Sequence, residues 1–513
     1  MPVLSIIVPS CNTEEQSHFL TMTSKSFWQT ICSSFCGRSG AGGGGVGFLL
    51  SVVFFAATLA ALELTSFPWC DEVMLTDTAV NCVFHGRWFS HLCMYAYNPL
   101  HVNVLTAWIW LFGASHFSVC ALGVVCSFLL CVVLQRALIR AKILNSLSMN
   151  VLYQVLFWFC SWTFSGILTN GRVDMLVAFF TTLLVSEMIL GDDSSRSKYR
   201  LFAYSFLMML AAVYPVPVVA FLGVLLLALA KGREQRVAVF KKGCVIAVGV
   251  MLAFALSCGY YGVHHHLIRF VHSYFSYNGT LSGASLGFVE RVVRGYRYDV
   301  IAVVLQGLAI VFCLCASRCA RPNWAFLVFV SIVPVLAVVG GRYANYYSWM
   351  FYLPSVVCFL YAVSRVGNPR LTVALLVPAF IVGGMYYLHY GEGWRKQSAT
   401  LATIGRYVAE HPEIFREGAK IQISTPLFYY PVVRTGAIPW LGWDDGGTGV
   451  SPREKFVRAV AKHVRDESTK KKLHELFDRF EAQPSEIGDD YFACGISEDG
   501  QVVVEHVNLK NGS

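Results

Sequence analysis

Apolar residues along the chain arrive in runs of about 17 to 25, the length that crosses a bilayer as a helix, with short polar stretches between them. Read this way, the chain contains about eleven spans. They are Val46–Phe67, Phe117–Leu134, Met149–Leu168, Met175–Leu190, Leu201–Val213, Val216–Ala230, Cys244–Val263, Val300–Cys315, Ala325–Val339, Trp349–Val363 and Leu371–Leu388. Pro99–Phe112 is also apolar, but counting it as a span would place Arg136, Arg140 and Lys142 outside. It is therefore read as a re-entrant or interfacial helix.

The polar positions then set the orientation. Arg136, Arg140 and Lys142; Arg196, Lys198 and Arg200; Lys231, Arg233, Arg236, Lys241 and Lys242; Arg318 and Arg321; and Arg365 and Arg370 all fall on one side. The positive-inside rule makes that side the cytoplasm, together with the amino terminus. The first loop and the segment from about Gly391 are expected on the other face of a bacterial inner membrane. The first apolar stretch starts after Gly45 and is long enough to remain as an anchor, so no cleavable signal peptide is expected. The expected layout is a cytoplasmic segment 1–45, a transmembrane region 46–390 and an extracytoplasmic α/β domain 391–513.

Composition agrees with a polytopic α-helical membrane protein, since 56% of residues are hydrophobic and only 14% charged. Membrane lipids are expected partners and nucleic acid is not. Most of the 17 cysteines lie inside spans, where they act as small apolar residues. Cys70, Cys82 and Cys93 stand on the first outer loop and Cys494 in the tail, and no pairing among them is legible.

In the tail, Lys420–Ser424 and Gln501–His506 are strand-like, and Ser451-Pro452 with Glu454 forms a capping box that opens a helix over 452–480. Asp444 and Asp445 sit in a Gly-rich turn.

Ionisable residues gather on the extracytoplasmic side. Asp71 and Glu72 follow the first span at once, where carboxylates serve catalysis, ion coupling, metal binding or a helix N-terminus. Asp77, Asn81 and His85 recur at i, i+4 and i+8 opposite Leu75, Ala79 and Val83, the pattern of an amphipathic helix in the interface. Arg269, Arg291, Arg294 and Arg297 crowd one loop that the positive-inside rule would keep poor in arginine, with Arg172 and Arg342 on the same face. Two readings remain open for them, a phosphate group or anionic lipid headgroups. The triplet His264–His266 adds imidazoles, but three consecutive histidines do not easily ligate one ion.

These residues also carry a resemblance. The "DE" of Asp71-Glu72, the D-x-A-x-N-x-x-x-H-G-x-W run from Asp77 through His85, Gly86 and Arg87 to Trp88, the N-P-L at Asn98, and L-F-G-x-S-x-F from Leu111 to Phe117 resemble the GT-C glycosyltransferases. That family uses polyprenyl-phosphate sugars and includes the aminoarabinose and protein O-mannosyl transferases. Arg172-Val-Asp174 is similar to an R-x-D of the family, and the tyrosine-rich stretch Arg342–Tyr347, with Tyr346 and then Pro354, extends the likeness. The family often carries a lysine where the fifth and sixth spans meet, whereas this chain has Val213-Tyr-Pro-Val-Pro217.

The resemblance implies a membrane enzyme that moves a sugar from a polyprenyl-phosphate donor to a lipid, glycan or protein. It implies Asp71 as general base, and Glu72 as a group that orients the acceptor or supports a divalent metal. It places Asp77, His85, Arg87, Asn98, Arg172, Asp174, the arginines at 269, 291, 294, 297 and 342, and Tyr346 around the substrates. The rival from another class is a transporter or flippase of a lipid-linked saccharide. Such a protein should carry ionisable groups near mid-membrane and repeat symmetry, and no repeat is visible.

Overall fold

A computed structural model describes residues 43–65, 68, 70–86, 99–160, 166, 171–212, 215–230, 232–263, 267, 270, 300–316, 349–441, 468, 471, 490–497 and 501–508. In chain order its main helices are α1 (Gly43–Thr65), α2 (Cys70–His85), α3 (Pro99–Phe112), α4 (His116–Arg140), α5 (Leu147–Phe159), α6 (Asp174–Leu190) and α7 (Ser195–Ala211). They continue as α8 (Val216–Leu229), α9 (Arg233–Val263), α10 (Val300–Ala316), α11 (Trp349–Val366), α12 (Pro369–Glu410) and the short α13 (Tyr429–Arg434). Each expected span overlaps a helix except Ala325–Val339, which lies outside the described residues. Among those residues, four helices are long and apolar enough to cross a membrane: α1, α4, α9 and α11.

Helix α4 is the centre of the bundle, packing on α1, α3 and α6, while α5 packs on α1, α11 and α12. An apolar solvent gives polar side chains no partner, so those inside the bundle must satisfy one another. Gln154 of α5 donates to Ser51 of α1 at 2.7 Å, and Ser51 donates to Gln135 of α4 at 3.2 Å. Gln135 donates in turn to Asn150 at 3.0 Å, and the Trp158 indole donates to Gln154 at 3.1 Å. This chain of amides ties three helices together where apolar packing alone would let them slide.

Helix α3 has 14 residues and so is about 21 Å long, the same length as α8 and one residue longer than α5. Helix α12 is the opposite case. Asn368 caps it, accepting from the Arg370 N–H at 3.0 Å, Pro369 occupies its first turn, and it runs 42 residues to Glu410. It passes without a break through Gly391, where the composition turns soluble, so that change of composition is not a break in the backbone.

Beyond α12 lies a four-stranded sheet of β1 (Lys420–Ile423), β2 (Ile438–Leu441), β3 (Asp490–Ile496) and β4 (Val502–Asn508), in the order β2-β1-β3-β4. β1 is parallel to both β2 and β3, and β4 is antiparallel to β3. Alternate residues of β1, Ile421 and Ile423, are fully buried, as period-2 patterning requires. The two strand-like runs of the tail fall on β1 and β4. The helix expected over 452–480 and the Asp444–Asp445 turn lie outside the described residues, Ser468 and Lys471 excepted. Cys82 is a free, half-buried thiol and Cys494 a free, buried one.

Candidate active site

Three segments meet at Glu72. The first is α2, which carries Asp71 and Glu72 in its opening turn, where the helix dipole favours negative charge. The second is the start of α4. Gly113 takes a left-handed conformation (φ 78°) that turns the chain out of α3. Ser115 then caps α4 by accepting from the Ser118 N–H at 3.1 Å. That start puts His116 and Cys120 one turn apart on a single face.

The third segment comes from far along the sequence. After β1, Thr425 caps a 3₁₀ turn over Pro426–Phe428, and α13 begins at once with Tyr429 and Tyr430. Adjacent helical residues point about 100° apart, so the two phenols diverge and reach different partners on α2. Tyr430 donates to Glu72 Oε1 at 2.7 Å, and Tyr429 donates to Asp77 Oδ1 at 2.9 Å.

Glu72 is only 1% exposed and is held from several sides. His116 Nδ1 lies 2.9 Å from Oε1, and the Cys120 thiol donates to Oε2 at 3.7 Å. Asp77 is equally hidden, with Asn81 donating to its Oδ2 at 2.9 Å. Burial first, and then the charge of the facing carboxylate, hold both tyrosines well above the ordinary phenol range. They remain donors at any pH near neutrality.

Asp77 and Asn81, on the polar face of α2, are buried, and Asp77 is covered by α13. Ala79 on the apolar side is buried as well. A single-helix pattern shows which residues share a face but not what will be laid over that face.

A second polar group stands beside the first. Arg172 donates from Nε to Asp174 Oδ2 at 2.8 Å, and Asp174 opens α6 at its positive end. Any side chain at Gly171 would meet Val119 Cγ1 at 2.1 Å. Glycine there lets the Arg172 turn rest on the same stretch of α4 that carries His116 and Cys120. His101 of α3 is buried, its Nε2 has no hydrogen-bond partner among the described residues, and burial followed by the Arg172 charge lowers its imidazole to about 4. It is therefore a neutral ring next to a cation.

Of the residues singled out from sequence, the structure thus places Glu72 and Asp77 in one cluster and pairs Arg172 with Asp174. The side chains of Asp71 and His85 lie outside the described residues, although both belong to α2. Arg87, Asn98, Arg269, Arg291, Arg294, Arg297, Arg342, Tyr346 and the triplet His264–His266 also lie outside them. Sequence reasoning missed Tyr429, Tyr430, Cys120, His101 and the role of His116, the second of the two variable positions of the L-F-G-x-S-x-F run.

Glu72, His116 and Cys120 offer one oxygen, one nitrogen and one sulfur atom, all within 4.8 Å of one another. Borderline-soft divalent ions such as zinc favour that mixture, with a fourth position left open.

No protein-family model matches the chain, and no curated protein matches it. Among solved structures, the chain is similar to ArnT from Cupriavidus metallidurans bound to undecaprenyl phosphate, with TM-score 0.56 and 14% identity over 91% of this chain and 98% of that one. The apo state of the same ArnT gives TM-score 0.58 and 13% identity, with the same coverage. At that identity the likeness shows the fold alone: the chain has the GT-C fold, the arrangement of a multi-pass integral membrane protein.

Proposed function

We propose that this protein is a membrane glycosyltransferase that takes a sugar from a polyprenyl-phosphate donor and passes it to a lipid, glycan or protein acceptor on the extracytoplasmic face. The observation that carries the reading is the buried acidic cluster at the start of α2, in a chain whose fold matches an ArnT solved with undecaprenyl phosphate. The described buried acids also stand at helix ends or on non-spanning α2: Asp174 opens α6, Glu187 is in its last turn, and Glu72 is in the first turn of α2. A transporter would place such groups near mid-membrane.

In the reaction the bond between the anomeric carbon and the donor phosphate oxygen breaks through an oxocarbenium-like state, and the acceptor oxygen bonds to that carbon. The acceptor's proton passes to Asp71, the general base, and the phosphate leaves on its lipid. Arg172, with the arginines at 269, 291, 294, 297 and 342, supplies cations for that phosphate. Glu72, His116 and Cys120 would hold a divalent metal, which supplies positive charge to orient an acceptor oxygen or offset phosphate charge.

Purified protein in lipid nanodiscs, given polyprenyl-phosphate sugars and an envelope extract, is expected to release free polyprenyl phosphate as an acceptor gains the mass of the sugar. A lipid-linked saccharide that crosses the bilayer intact, with no release, would establish the transporter instead. For the metal, zinc is expected to bind one ion per chain in equilibrium dialysis, and His116→Ala or Cys120→Ala to weaken it by more than about tenfold. Equal retention by wild type and both variants would leave the three side chains as a hydrogen-bonded cluster only.

A further inference from the structure

The sheet beyond α12 reaches the acids through two consecutive side chains, and the proposed chemistry uses neither. Tyr430 is 3% exposed and Tyr429 fully buried, and each spends its hydroxyl on a carboxylate of α2 rather than on its own sheet. The rings meet edge to face at 5.2 Å, and the His116 ring lies 5.9 Å from that of Tyr430. Apolar packing alone would place phenylalanine here at no loss, since a buried hydroxyl is costly unless it finds a partner. Both hydroxyls have found one, and in each case it is ionisable.

We propose that Tyr430 and Tyr429 are positioning residues: the first fixes the Glu72 carboxylate against His116 and Cys120, the second fixes Asp77, and the C-terminal sheet is thereby a working part of the active site. The assignment rests on the transferase reading for its consequence and on geometry for its existence. Glu72 is one residue from Asp71, so a loose Glu72 side chain leaves the first turn of α2 without its anchor to α4 and α13. Charge-assisted bonds of this kind lie at the strong end of side-chain hydrogen bonds.

The test is Tyr430→Phe, with Tyr429→Phe beside it. Tyr430→Phe is expected to lower kcat about tenfold or more, the loss of one hydrogen bond to a charged group, with the donor KM within about twofold. In a Glu72→Gln background it should add little, because both changes remove one interaction. A wild-type kcat in Tyr430→Phe, or two losses that multiply in the double variant, would overturn the assignment. If the wild type transfers no sugar, the transferase reading fails, and infrared spectra with isotope-labelled glutamate still decide the positioning. The Glu72 carboxylate band, identified by its disappearance in Glu72→Gln, should move in Tyr430→Phe. A band that does not move rejects the proposal in that case too.

Discussion

Asp71→Asn is expected to leave the protein folded and inserted and to cut sugar transfer by at least about a hundredfold, the lower end of what a positioned base contributes. The amide keeps the size of the side chain but cannot accept the acceptor's proton. Glu72→Gln should do less, because it removes the charge-assisted bond from Tyr430, 2.7 Å long, but leaves the base itself in place. Near wild-type transfer by purified Asp71→Asn would remove the base assignment and pass it to Glu72 or Asp77. If all three single amides remained active, the enzyme reading would yield to the transporter.

The second large effect concerns stability. Arg172→Gln leaves Asp174, which is 1% exposed, without the guanidinium 2.8 Å away. Removing one partner of a buried ion pair typically destabilises a protein by about 3–5 kcal/mol, because the remaining charge is stranded in a poor solvent. A marked fall in melting temperature in detergent is therefore expected for Arg172→Gln. The double variant Arg172→Gln/Asp174→Asn should recover part of that fall, since no buried charge is left. An Arg172→Gln protein as stable as wild type would show that the pair is not structural, leaving Arg172 to the donor phosphate alone.

How much of this was legible in the sequence follows from the range of each signal. Spans are written in contiguous runs of apolar residues, so α1, α4 and α9 could be read directly. The strands β1 and β4 showed as local alternation, whereas β2, whose Pro439 interrupts the pattern, did not. Glu72 and Asp77 were found because acids beside a span are conspicuous. Their partners were not, because Tyr429 and Tyr430 lie more than three hundred positions away in a Phe-Tyr-Tyr-Pro run that reads as ordinary sheet-domain core. Periodicity carries information over a few turns of helix. Which distant element will cover a polar face depends on tertiary docking, and a single sequence does not encode that in any local pattern.

The length of α12 bears on how well that docking must be built. From Pro378, whose ring removes a backbone donor, the helix continues to Glu410, about 48 Å away. A tilt of only about 5° at the proline would swing the far end sideways by about 4 Å, more than the whole length of the Tyr430–Glu72 bond. Leverage of that kind makes the rod a poor aligner by itself. Ångström alignment therefore has to come from the distal contacts, and the rod's task is reduced to reach.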